Sequence, residues 1–282
     1  MTAASTIGVA LAASMSSGDA GAAQAVSAAR IAMSGIAKRF GSVEALRGVD
    51  LSLYPGECVG LVGDNAAGKS TLTKILAGAL VPDRGTIKLD GGPVTFATPA
   101  DARRHRIEMV YQDLSLCDSI DVAGNLFLGR EPTSGLFLNR RRMREGARRM
   151  LEGLEIKIPN LDLLAAQLSG GQRQAIAICR AVAFDPQVLI MDEPTSALAV
   201  AEVEAVLALI NRIKSRGVSV VLITHRLQDL FRVCDRIAVM YEGLKVAERR
   251  IGETDLQDLV ELIVGKGHAG ISHMLDARGA AR

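Results

Sequence analysis

Tryptophan is absent from the 282 residues, and tyrosine and phenylalanine number only 3 and 6. So few aromatic rings leave no ladder of stacking platforms for single-stranded nucleic acid. Neither charge is in excess, with 33 Lys and Arg against 31 Asp and Glu. This is not the basic footprint of a nucleic-acid binder, and no nucleic acid partner is expected. The four cysteines, Cys58, Cys117, Cys179 and Cys234, are too far apart in sequence for a zinc knuckle or a CxxC redox pair. Three of them sit beside apolar runs and read as buried, reduced thiols, which fits a reducing cytosol. No apolar run reaches the ~18–20 residues that span a bilayer. Residues 1–29 contain no Lys or Arg, and their apolar run IGVALAA is short. They lack the basic start and long apolar middle of a signal peptide, and a disordered Ala/Ser/Gly-rich extension is expected there.

What is present is a globular composition, 49% hydrophobic, in a chain long enough for a sizeable core. Strand-like runs at 31–37, 49–53, 58–62, 86–89, 107–111, 188–191, 218–223 and 236–240 alternate with helical stretches. The helical stretches fall at 69–80, 171–184, 201–216, 227–233 and 256–264. Runs such as CVGLV, VLIM and VSVVLI are apolar on both faces, as in strands of a sheet covered by helices on both sides. The fold class is therefore α/β with a mainly parallel core sheet. The segment 31–53 reads as antiparallel strands with a turn at Phe40-Gly41. Between 113 and 169 the strand signal fades, and a helical insertion is expected. Its Arg run at 140–144 reads as a solvated helix face. One domain is expected over 30–266, with a flexible tail over 267–282. No repeat is visible, so the chain holds a single unit of this kind.

Three segments carry the chemistry. Gly63-Asp64-Asn65-Ala66-Ala67-Gly68-Lys69-Ser70-Thr71 fits GxxxxGK[ST] between an apolar strand and a helix. Backbone N–H groups of such a loop point at phosphate oxygens, and the following helix adds its positive end. Lys69 supplies a point charge, and the Ser70 hydroxyl can ligate Mg2+. Second, the strand VLIM ends in Asp192-Glu193, two acids where a core reading fails. Asp192 suits a Mg2+ site and Glu193 suits the deprotonation of an attacking water. Pleat alternation is expected to point the two to opposite faces. Third, Ser169-Gly170-Gly171-Gln172 opens another helix and forms a second anion-binding helix start. Two such starts in one chain make sense if two copies meet head to tail over each nucleotide.

The segment LSGGQRQ, 168–174, resembles the signature of the ATP-binding-cassette family. The resemblance covers about Ile31 to Gly265. It implies a P-loop NTPase cassette with an antiparallel β subdomain, binding ATP and Mg2+ and hydrolysing ATP. By the same resemblance, Gln112 in VYQD matches the glutamine that senses the γ-phosphate, joins the metal site and contacts the membrane partner. His225 in LITHR matches the switch histidine, and Phe40 in KRFG matches the aromatic that stacks on adenine. The chain departs from the family pattern at two positions. Ala66 stands where a glycine is common, a poor residue for a positive φ. Ala199 stands where most cassettes place an Asp that couples the two sites.

The loop GDNAAGKST, Ala199 and the stretch 122–132 are similar to monosaccharide importers of the fructose and ribose type. That likeness implies a homodimer on the cytoplasmic face of the membrane, driving transmembrane permease subunits and served indirectly by a periplasmic sugar-binding protein. The rival readings are a cassette exporting lipid or drug, a soluble cassette ATPase, and a regulatory module that holds ATP. Glu193 and His225 weigh against the last of these.

Overall fold

The computed structural model describes residues 28–196 and 198–265. Nearly all of the expected extension, and the tail, lie outside the described residues. In chain order the elements begin β1 Ile31–Phe40, β2 Val43–Leu53, β3 Cys58–Gly63, α1 Lys69–Leu76, β4 Arg84–Leu89, β5 Gly92–Val94, α2 Pro99–Arg104 and β6 Ile107–Val110. The middle of the chain holds α3 Val122–Phe127, β7 Thr133–Ser134, β8 Phe137–Leu138, α4 Arg140–Gly153 and α5 Gly170–Val182. The last part holds β9 Val188–Asp192, α6 Val200–Ser215, β10 Ser219–Ile223, α7 Leu227–Val233, β11 Arg236–Tyr241, β12 Leu244–Arg250 and α8 Leu256–Val264.

The main sheet has the order β12-β11-β3-β10-β9-β6, parallel except for the edge strand β12. Its central strands serve two cores by simple alternation. Cys58, Val62, Leu189, Met191, Val220 and Leu222 face one apolar cluster, with α5 and α6. Val59, Leu61, Val188, Ile190, Val221 and Ile223 face the other, with α1 and the small sheet. Both faces are thus dry, which explains why these strands read as unbroken apolar runs. The small sheet, β2-β1-β4-β5, is antiparallel throughout.

The insertion is helical as expected, with α3 packed against both α4 and α5. A short hairpin, β7–β8, interrupts it. On α4 the residues Met143, Gly146, Ala147 and Leu151 face inward while the arginines face water. Arg141 pairs with Glu145, and Arg144 with Asp162. Helix α1 ends at Leu76, four residues short of the expected end, because Gly78 takes φ 72° and turns the chain away.

The position of β10 builds the site. It lies between β3 and β9, and Ile223 stands in register with both Leu61 and Asp192. β9 and β10 therefore end level at one edge, β3 runs two residues further to Gly63, and β3 and β9 lie about 10 Å apart across β10. In open α/β sheets this carboxyl edge is where ligands bind.

Candidate functional site

The loop from β3 to α1 is held in shape by two glycines that no other residue could replace without a shift. Gly63 has φ 148°, and a Cβ there would lie 2.1 Å from the Met240 carbonyl oxygen. Gly68, which caps α1, has φ 99°, and its Cβ would lie 2.6 Å from the Ala45 carbonyl oxygen. Ala66 accepts the left-handed conformation all the same, at φ 66°. Its departure from glycine carries the local strain of a left-handed residue with a Cβ.

Lys69 lies across the loop, its Nζ donating to the carbonyl oxygens of Gly63 at 2.8 Å and Asp64 at 2.9 Å. Burial lowers its pKa below the usual lysine value, against the pull of Glu193, Asp64 and Asp192. The Asp192 carboxyl is raised, first by burial and then by the neighbouring Glu193, with Lys74 and Lys69 opposing. Asp192 and Glu193 do not part by pleat alternation, as the sequence suggested. The strand ends at Asp192, and Glu193 turns out of it with φ 55°, its N–H donating to the Ile223 carbonyl oxygen at 2.9 Å. A left-handed non-glycine residue at the site edge is a strained conformation of the kind that collects at functional positions.

Phe40, the loop residues 65–71, Gln112, Asp192 and Glu193 line one cleft of about 570 Å3. Phe40 is 47% exposed at its rim. His225, just beyond β10, reaches Glu193 through its Nδ1. The expected nucleotide-side residues therefore gather at one place, Gly63 and Asp64 through their carbonyl oxygens on Lys69 rather than in the cleft lining, while those of the signature segment lie apart. Ser169, Gly171 and Gln172 line a separate groove with α6. Ser169 caps α5, its Oγ accepting from the Gln172 N–H at 3.2 Å. Sequence reasoning missed Val43, Ala45, Arg47 and Glu242, which border the nucleotide cleft. It also missed Glu202, which touches Ser169. The first four come from β2 and the β11–β12 turn, distant in sequence and without a motif.

Among the described residues no group of three or more His, Cys, Asp and Glu side chains forms a metal cage. The donors at the cleft are instead a hydroxyl, an amide and a carboxylate. Asp192, raised by burial beside a second acid, is a group that a divalent cation would relieve. Ser70, Gln112 and Asp192 border the same cleft and suit Mg2+, which takes few protein oxygens and completes its shell with phosphate and water.

A phosphate loop and a paired-acid strand end on a parallel sheet define a P-loop nucleotide-binding protein. The comparisons make the class specific: the family model for the ABC transporter matches residues 46–196. The chain is similar to the xylose/arabinose import ATP-binding protein XylG of Sulfolobus acidocaldarius, 43% identical over 226 residues, 80% of this chain and 90% of that protein. It is similar to the fructose import ATP-binding protein FrcA of Rhizobium meliloti, 42% identical over 239 residues, 82% of this chain and 92% of that one. Among solved structures it resembles the dimeric post-hydrolysis state of the ATP-binding cassette MJ0796 bound to ADP and Pi. The TM-score there is 0.67 at 25% identity, over 78% of this chain and 98% of that one. The chain belongs to the ABC transporter family and is one of its ATP-binding, ATP-hydrolysing cassettes.

Proposed function

We propose that two copies of the chain close head to tail over two MgATP and so energise uptake of a monosaccharide through a separate permease. The observation that carries the reading is the separation of the two anion-binding helix starts. The loop before α1 and the start of α5, through Ser169, Gly171 and Gln172, border different clefts of one chain. A nucleotide gripped by both would need the second start from another copy. The solved cassette named above is dimeric, which supports the same arrangement.

In this reading the adenine lies on Phe40, and the phosphates lie in the N–H cradle of residues 63–71 with Lys69 at the outer oxygens. Lys69 exchanges two carbonyl partners for charged phosphate oxygens, a stronger class of bond. Ser70, Gln112 and Asp192 would hold Mg2+, which would supply charge neutralisation at the phosphates. Glu193 takes the proton of the attacking water, and His225 holds the Glu193 carboxylate in place. Most of the rate comes from positioning and fixed charge. Gln112 joins β6 to the helical insertion, the route by which a change at the γ-phosphate would reach a membrane partner.

No described helix is long and apolar enough to cross a membrane. The reading places the chain peripherally at the cytoplasmic face, with transmembrane permease subunits as direct partners and a periplasmic sugar-binding protein as indirect partner. The sugar assignment draws on the import names of the two relatives. The test is reconstitution of the chain with its permease in liposomes, measuring ATPase and uptake. Sugar-loaded binding protein is expected to raise both. Stimulation by a lipid or drug in place of sugar, or by no transport substrate, would overturn the import assignment.

A further inference from the structure

The signature start of α5 is already occupied by a carboxylate. Glu202, on the first turn of α6, accepts from the Ser169 hydroxyl at 2.8 Å and from the Gly171 N–H at 3.0 Å, both through Oε1. Its Oε2 accepts from the Ala199 N–H at 3.2 Å. These three bonds hold its pKa below the usual glutamate value. The approach depends on glycine: a Cβ on Gly171 would lie 2.7 to 2.8 Å from Glu202 carbons, and one on Gly170 would meet Leu198 and Glu202.

An oxyanion with two oxygens, bound by a serine hydroxyl and a helix N-terminal amide, is a chemical substitute for a phosphate edge. The hydroxyl has one hydrogen and the amide one. Neither can serve Glu202 and a γ-phosphate fully at once. The carboxylate also brings a negative charge to the place a triphosphate would enter. Glu202 is only part-buried, so it can turn into water without the cost of opening a core.

We infer that Glu202 is an internal occupant of the signature anion site, displaced by the partner-bound γ-phosphate, and that it sets the ATP concentration at which two chains close. The inference rests on the head-to-tail reading above. Closure then exchanges two carboxylate contacts per chain for two phosphate contacts, in both chains together. Loss of ATP's terminal phosphate lets Glu202 return, which favours reopening. In this account Glu202 touches neither the water nor the metal; it acts through Ser169 and Gly171.

The experiment uses the full chain with Glu193→Gln, which retains ATP, and follows dimer formation by light scattering as MgATP is raised. Glu202→Ala in that background is expected to lower the ATP needed for half-dimerisation by roughly tenfold, the scale of one charged hydrogen bond. Glu202→Gln, which keeps the size but not the charge, is expected to shift it in the same direction by less. Binding of ADP to the isolated chain should not change in either variant. A glutamate that merely caps α6 and braces Ser169 would give the opposite result, a raised or unchanged ATP requirement in both variants, and that would overturn the inference. If the parent Glu193→Gln chain fails to dimerise with MgATP at all, the head-to-tail reading itself falls. The two failures are thus distinguishable.

Discussion

The Nδ1 nitrogen of His225 meets the Oε2 oxygen of Glu193 where β10 and β9 end side by side. A carboxylate only accepts, so Nδ1 carries the hydrogen that joins them. The histidine side chain is 69% exposed while the glutamate's is 20% exposed. A mostly solvated ring thus clamps a largely covered acid. Glu193→Gln should retain ATP and lower turnover by ~10²–10⁴-fold, the usual worth of a general base. His225→Ala should lower turnover less and leave nucleotide affinity in place, because it loosens the base without removing it. Steady-state ATPase beside nucleotide titration checks both. Turnover of Glu193→Gln at the normal rate would show that another group takes the proton.

Lys69→Ala removes the cation that spans the phosphate loop and donates to two of its carbonyl oxygens. Losing a charged hydrogen bond of about 1.5–3 kcal/mol should weaken ATP binding by roughly 10- to 150-fold. Equilibrium titration with a fluorescent nucleotide reads this directly, and unchanged affinity would remove Lys69 from the phosphate contact.

Ala199 opens α6 with an N-cap backbone conformation but no side-chain acceptor. Its N–H is instead served by Glu202. Ala199→Asp should therefore alter the cooperativity of hydrolysis between the two sites more than it alters nucleotide affinity. The measurement is the Hill coefficient for ATP, and equal coefficients before and after would contradict it.

Three of the four thiols are sealed. Cys58, Cys179 and Cys234 are buried, and Cys117 is part-exposed. Burial pushes Cys179 up to about 12, and burial also raises Cys234, whose Sγ lies 3.5 Å from that of Cys58. Thiolate is the reactive form. The folded chain at pH 8 should react rapidly at Cys117 alone, and at all four after denaturation. Fast labelling of Cys179 in the folded chain would contradict the packing of α5.

Much of this was legible in the residues. The strands β3, β9 and β10 announce themselves because both of their faces are dry. The helices α7 and α8 fall where their apolar spacing put them, at Leu227–Val233 and Leu256–Val264. Several elements escaped for reasons of size or exposure. Strand β12 carries LKVAERR on a sheet edge, where polar residues break the apolar signal. Helix α2 has six residues, although its Thr98–Asp101 capping box was readable. The β7–β8 hairpin is two residues a side.

At the site, motifs gave the phosphate loop, the paired acids and the signature. They did not give Glu202, because its partner Ser169 is 33 residues away and meets it only when α5 and α6 pack together. Nor did they give the left-handed turn at Glu193, since a glutamate there looks in sequence like one more strand residue.

The account stands on a hydrolytic site completed by a second chain, and dilution tests that most directly. ATPase activity per chain should be measured at saturating MgATP, from concentrations where dimers dominate to far below their dissociation constant. The account predicts that the rate per chain falls toward zero in proportion to chain concentration. A rate per chain that stays constant throughout the dilution would contradict it.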